Sequence, residues 1–136
     1  MVREARPEDL GPLLALYRHL HETGLPEETE ALRAAWGQIL ADEGHHVLVC
    51  ELDGALVSSC VCVVVPNLTR GGRPYALVEN VVTHRDYRRL GLASACLARA
   101  RELAEARNCY KIMLLTGAKE PGTLDFYRKA GYNSAD

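Results

Sequence analysis

The sequence predicts a mixed α/β domain with a central, mostly antiparallel sheet, one splayed pair of parallel strands, and helices on both faces. Three observations predict it. Helical apolar spacing before His46 gives way to strand-like runs after it. Asp53-Gly54 between two such runs is a strong two-residue hairpin turn. Finally, the strand, helix, strand series from Tyr75 to Leu115 calls for a right-handed parallel crossover, where adjacent strands can splay apart.

The elements follow in order. Val2 to Ala5 forms a short strand, and Arg6-Pro7-Glu8-Asp9 starts a helix running to about Glu22, with acidic residues suiting its first turn. Leu10, Leu13, Leu14, Tyr17 and Leu20 fall on one buried stripe. After Gly24 to Pro26, where a substrate-covering loop could sit, a second helix covers Glu28 to Leu40, with Leu32, Ala35, Trp36, Ile39 and Leu40 inward. Strands follow over Val47 to Leu52, Ala55 to Val65 and, beyond a Gly- and Pro-containing loop, Tyr75 to Thr83. A helix spans Leu90 to Arg107, with Asn108 as a left-handed cap. Tyr110 to Leu115 is a buried strand, and Gly122 to Ala130 a short helix ended by Gly131.

Composition narrows the function. With 136 residues, 48% of them hydrophobic and 25% charged, the chain suits one domain over 1–136. A net charge of −2, with both signs interspersed, offers no polybasic face for nucleic acid or an anionic membrane, so a small-molecule partner is expected. The charged, proline-containing start is no secretory signal, and no apolar run is long enough to span a membrane, so a cytoplasmic location is expected. Five cysteines, mostly in apolar stretches, read as reduced packing residues. Cys60 and Cys62 lack the partners for a zinc site, and no metal is expected.

The chemistry is carried by Val78 through Ser94, where an apolar strand passes through a basic, glycine-containing turn into a helix. Unpaired N–H groups at a helix start sit at the positive end of its dipole, Gly91 and Ala93 permit close approach, and Arg88 and Arg89 add charged donors. That arrangement suits a diphosphate, although a plain strand-to-helix turn with solvated arginines would read the same way. The turn lacks the lysine and Ser/Thr of a P-loop and the G-x-G-x-x-G of a dinucleotide fold.

Arg88-x-x-Gly91-x-Ala93, after a strand and opening a helix, resembles the acetyl-CoA motif of the GCN5-related N-acetyltransferases (GNAT), Gln/Arg-x-x-Gly-x-Gly/Ala. Phe126-Tyr127-x-x-x-Gly131-Tyr132 matches a second block of that family in the right order, and the element order extends the likeness over essentially the whole chain. Glu79-Asn80-Val81-Val82 and Asn108-Cys109-Tyr110-Lys111-Ile112 look most like the glucosamine-phosphate N-acetyltransferases, which carry an acidic residue where Asn80 stands.

The resemblance implies acetyl-CoA as co-substrate and acetyl transfer to a primary amine of a small molecule by direct attack. A peptide or protein amine is an alternative acceptor, and a non-catalytic acyl-CoA-binding module an alternative function. It implies that backbone amides of Leu90, Gly91, Leu92, Ala93 and Ser94, with Arg88 and Arg89, hold the diphosphate. Val81, Val82 and Thr83 would pair with the pantetheine arm, and a main-chain N–H near Val82 would polarise the thioester carbonyl. Tyr127 takes the position that protonates the leaving thiolate, and Glu79 the position of a base, direct or through water. His84 is a second candidate base, Asp86 a cap for the turn, and Arg70 and Arg73 either anion ligands for the acceptor or a solvated tip. Two features depart from the family: Glu120 stands where many relatives carry Asn or Arg, with Lys119 as a possible substitute, and the chain ends before the usual final strands. Either the sheet ends early, a neighbouring subunit of a homodimer covers the exposed edge, or the polypeptide is shortened from a longer one.

Overall fold

The computed structural model describes residues 1–20, 27–115 and 133–134. Six strands form one sheet in chain order: β1 (Val2–Glu4), β2 (His45–Leu52), β3 (Ala55–Val65), β4 (Tyr75–Thr83), β5 (Ile112–Leu114) and β6 (Asn133–Ser134). The first four pair antiparallel, whereas β4 with β5 and β5 with β6 are parallel. Helices α1 (Leu10–Leu16) and α2 (Glu30–Ala41) cover one face, and α3 (Leu92–Ala106) covers the other. No helix among the described residues is long and apolar enough to cross a membrane.

Strand alternation divides the core between these faces. Leu48, Cys60, Cys62, Ala76 and Val78 meet Cys96, Leu97 and Ala100 of α3, whereas Val47, Val49 and Val61 meet Leu10, Leu13, Leu16 and Trp36. All five cysteines are free thiols, four of them buried and Cys109 half-buried. Asp53 and Gly54, at φ 50 and 80, make the left-handed pair that a two-residue hairpin needs.

Several boundaries differ from the sequence reading, each for a local reason. The first helix does not continue to Glu22: it tightens to a 3₁₀ turn over Tyr17–His19 and Leu20 is already extended, while residues 21–26 lie outside the described set. Leu16 joins Leu10 and Leu13 in the buried stripe, while Leu14, Tyr17 and Leu20 are half-buried. The second helix begins at Glu30 because the Thr29 hydroxyl accepts the Leu32 N–H at 3.1 Å, and Ala35, read as inward, is exposed. The third begins at Leu92, not Leu90, because Arg89 and Gly91 are both left-handed. Its end is as read, with Asn108 at φ 60. Regular β5 spans only Ile112–Leu114, yet its hydrogen bonds with the β4 region reach from Tyr110 to Leu115.

The start of the chain is locked by a bidentate ion pair, with Arg3 guanidinium nitrogens 2.7 and 3.1 Å from the Asp9 carboxylate. Arg3 also holds Glu51 at 2.7 Å, and Asp9 accepts the Arg6 N–H at 2.7 Å. The Arg3 hydrogen bond holds the Asp9 carboxyl below its ordinary value, against the opposing effect of burial. Its stabilisation is therefore complete above the unfolded carboxyl pKa and fades as pH falls through the lowered folded one. Asp9→Asn should cost about 2 kcal/mol at pH 7, less than the loss of a whole buried pair because Glu51 still partners Arg3. Urea melts should show the gap between variant and parent closing as pH falls below the ordinary carboxyl range; a gap independent of pH would refute the assignment.

Candidate active site

Among the described residues the parallel pairing is short, at the place where the sequence analysis allowed a splay. β5 matches β4 at only three positions, Ala76, Leu77 and Val78, and the Leu115 N–H donates to the Val78 carbonyl at 2.8 Å. From Glu79 to Thr83, β4 is paired with β3 alone among the described residues. Its far edge is a row of main-chain groups available to an extended ligand.

That edge has a specific phase. The His84 N–H donates to the Val57 carbonyl at 2.8 Å, and the Ser58 hydroxyl donates to the Val82 carbonyl at 3.0 Å. Main-chain groups of successive residues point to opposite sides, so those of Thr83 face the opening, as do those of Val81 one step back along the strand. The Arg88 Nε donates to the Thr83 carbonyl at 3.3 Å from there. Ser58, fully buried, also meets the Thr83 hydroxyl at 2.9 Å and so ties the strand end to β3.

A bulge sets the side chains. Val61 is opposite Glu79 and Ser59 opposite Val82, so Asn80 and Val81 together face Cys60. Asn80 takes the extra turn at φ 52, a conformation that asparagine tolerates better than most residues. The consequence is a change of face: Val78 and Val81 both pack on the α3 side, while Val82 joins the α1 and α2 side, the same face as the strand position of Glu79 opposite Val61. Glu79 is half-buried, and among the described residues its carboxylate has no hydrogen-bond or ion-pair partner. The sequence reading missed this bulge; its one signal was an asparagine inside a strand.

At the end of β4 the chain makes a 3₁₀ turn over Arg85–Tyr87. His84, a candidate base, serves here as the cap: its Nδ1 accepts the Asp86 N–H at 3.1 Å. The Asp86 carboxylate, read as the capping group, stands 3.9 Å from that nitrogen. Arg88 is extended, Arg89 has φ 65, and Gly91 is the N-cap of α3 at φ 78 with no side-chain cap. Such a bend turns main-chain N–H groups into one concavity, and a helix start adds its dipole. Arg88, Arg89, Leu90 and Ser94 are exposed around it, and Leu92 and Ala93 are half-buried. An added Cβ on Gly91 would meet nothing within 4 Å. Backbone conformation, not crowding, calls for glycine there, and the space beside it is open.

Arg70 and Arg73 lie elsewhere. They precede the start of β4, about 26 Å of strand from Thr83. Arg73 donates to the Asn108 and Cys109 carbonyls at 3.1 and 3.2 Å, and Arg70 stacks on Tyr110 at 5.4 Å. Within one chain these arginines fasten the end of α3 and do not reach the turn. Phe126, Tyr127, Gly131 and Tyr132, with Lys119 and Glu120, lie outside the described residues.

A mixed sheet opened between parallel strands, with a basic left-handed turn at its mouth, is the architecture of an acyltransferase. The chain belongs to the acetyltransferase (GNAT) family, which it matches over residues 12–132. It is 30% identical to glucosamine 6-phosphate N-acetyltransferase of Trypanosoma brucei brucei over 133 residues, 98% of this chain and 88% of that one. A solved structure from Agrobacterium tumefaciens strain C58 superposes with a TM-score of 0.92 at 38% identity, covering 100% of this chain and 94% of the other. A Trypanosoma brucei acetyltransferase structure gives a TM-score of 0.84 at 29% identity, covering 100% of this chain and 94% of that one.

Proposed function

We propose that this protein transfers the acetyl group of acetyl-CoA to the primary amine of a small molecule. The observation that carries the reading is the open β4 edge running directly into an uncapped, doubly left-handed turn. One feature suits an extended amide-bearing arm and the other a diphosphate, and they are contiguous as CoA requires. Bound acetyl-CoA supplies the activated thioester.

In this reading the main chain of Val81, Val82 and Thr83 lines the pantetheine arm, with Val81 and Thr83 offering edge-directed groups. Amides of Leu90, Gly91, Leu92, Ala93 and Ser94, with the Arg88 and Arg89 guanidinium groups, hold the diphosphate. Glu79 takes a proton from the acceptor ammonium, directly or through water. The freed amine attacks the thioester carbonyl, the C–S bond breaks as Tyr127 protonates the departing thiolate sulfur, and the second proton of the former ammonium leaves the amide nitrogen to water, from which the Tyr127 phenolate is reprotonated. The acceptor class follows the Trypanosoma relative, which by name acts on an amino sugar phosphate. Asn80 stands where that subgroup has an acidic residue, so the acceptors to be tested extend beyond that sugar.

The test is release of free thiol from acetyl-CoA with a panel of amines that includes glucosamine 6-phosphate, small diamines and peptide N-termini. Thiol release with at least one small amine is expected. CoA binding by calorimetry without turnover on any amine would point instead to a binding module.

A further inference from the structure

We propose that His19 is a positioning residue for the cofactor turn, reaching it from the end of the first helical segment; the inference rests on the acetyl-CoA reading above. His19 closes the 3₁₀ turn that follows α1, and its ring lies 4.2 Å from that of His84, tilted by 41°. Its Nδ1 accepts the Arg85 N–H at 3.4 Å, a bond spanning 66 positions of sequence. His84 in turn caps Asp86 and meets Tyr87 edge-on at 5.4 Å, and Tyr87 packs against the α3-side core.

The turn is thus gripped from two sides. His19 and His84 hold its start, Tyr87 anchors its middle, and Arg88 to Gly91 follow within four residues with no side-chain cap of their own. Both imidazoles present Nδ1 as an acceptor to a backbone N–H. Burial, the neighbouring His84, and the Arg85 and Arg88 charges push the His19 pKa down, opposed by Asp86, which keeps the acceptor available at neutral pH. The end of the first helical segment and the turn before α3 are mechanically joined at this pair.

Two substitutions separate the acceptor from the ring. His19→Phe keeps the stacking surface and loses Nδ1; His19→Asn keeps an acceptor at the same place and loses the ring. If His19 positions the turn, His19→Phe raises the Kd for CoA and the KM for acetyl-CoA about five-fold, as expected for one neutral hydrogen bond, and leaves kcat within about two-fold. His19→Asn then lies closer to the parent than His19→Phe does. Parent-like CoA affinity in His19→Phe, or equal losses in both variants, overturns the proposal. A fall in kcat with unchanged KM also overturns it, by making His19 a proton acceptor. A parent protein that binds no CoA defeats the acetyl-CoA reading itself, a separate and recognisable result.

Discussion

Glu79→Gln should lower kcat about a hundred-fold at pH 7, the lower end of what a positioned acid or base contributes, while CoA affinity stays within about two-fold of the parent. An amine acceptor is mostly an ammonium at that pH, and nitrogen cannot attack a thioester until its proton has gone. The bulge at Asn80 and Val81 sets the Glu79 strand position on the face opposite the one that takes Val81, at the start of the edge that is unpaired among the described residues. Among the described residues no partner holds its carboxylate, and none of them competes there with water or an incoming amine. Glutamine preserves the volume and hydrogen bonding but cannot take the proton. Raising the pH should restore part of the rate, because free amine then forms in solution. An unchanged kcat at pH 7 would show that the proton leaves to bulk solvent and that Glu79 has no role in the transfer.

That bulge also shows how far the sequence could be read. Val78-Glu79-Asn80-Val81-Val82 has the apolar content of a buried strand, and a strict two-residue period puts Glu79 and Val81 on one face. The left-handed Asn80 reverses the pattern after it, and only pairing against β3 reveals this. Local signals fared better. Asp53-Gly54 specifies left-handed residues by chemistry, and so does Gly91, which is why the hairpin and the bend before α3 were both legible. Leu90 misled the helix boundary because its side chain fits the apolar period; it is in fact 63% exposed, before a left-handed cap that no helix can pass through. The His19 contact with Arg85 has no sequence signal at all, since it joins residues brought together by packing of α1 on the sheet. Arg73 is a similar case: a basic residue in that loop reads either as an anion ligand or as a solvated tip, whereas its Nε and one terminal nitrogen donate to the Asn108 and Cys109 carbonyls just beyond α3.

Gly91→Val should reduce kcat/KM for acetyl-CoA by about a hundred-fold, with the loss in KM. A left-handed conformation costs an L-residue roughly 1–2 kcal/mol, and a β-branched one is at the upper end. At 1.4 kcal/mol per decade, this alone takes about a factor of ten from the population of the binding-competent turn. The rest comes from the ligand side: the added Cβ has no protein atom within 4 Å, so the new side chain occupies the open space beside the α3 N-terminus where the diphosphate is proposed to approach. Gly91→Ala, with the smaller group and less strain, should fall between the variant and the parent. Because nothing in the protein packs against that position, melting temperature should drop by only a few degrees in either case. The decisive comparison is calorimetric CoA binding beside thermal melting. A large loss of stability with proportionate loss of binding would make Gly91 a folding requirement alone, whereas lost affinity in a folded protein places the diphosphate at the mouth of α3.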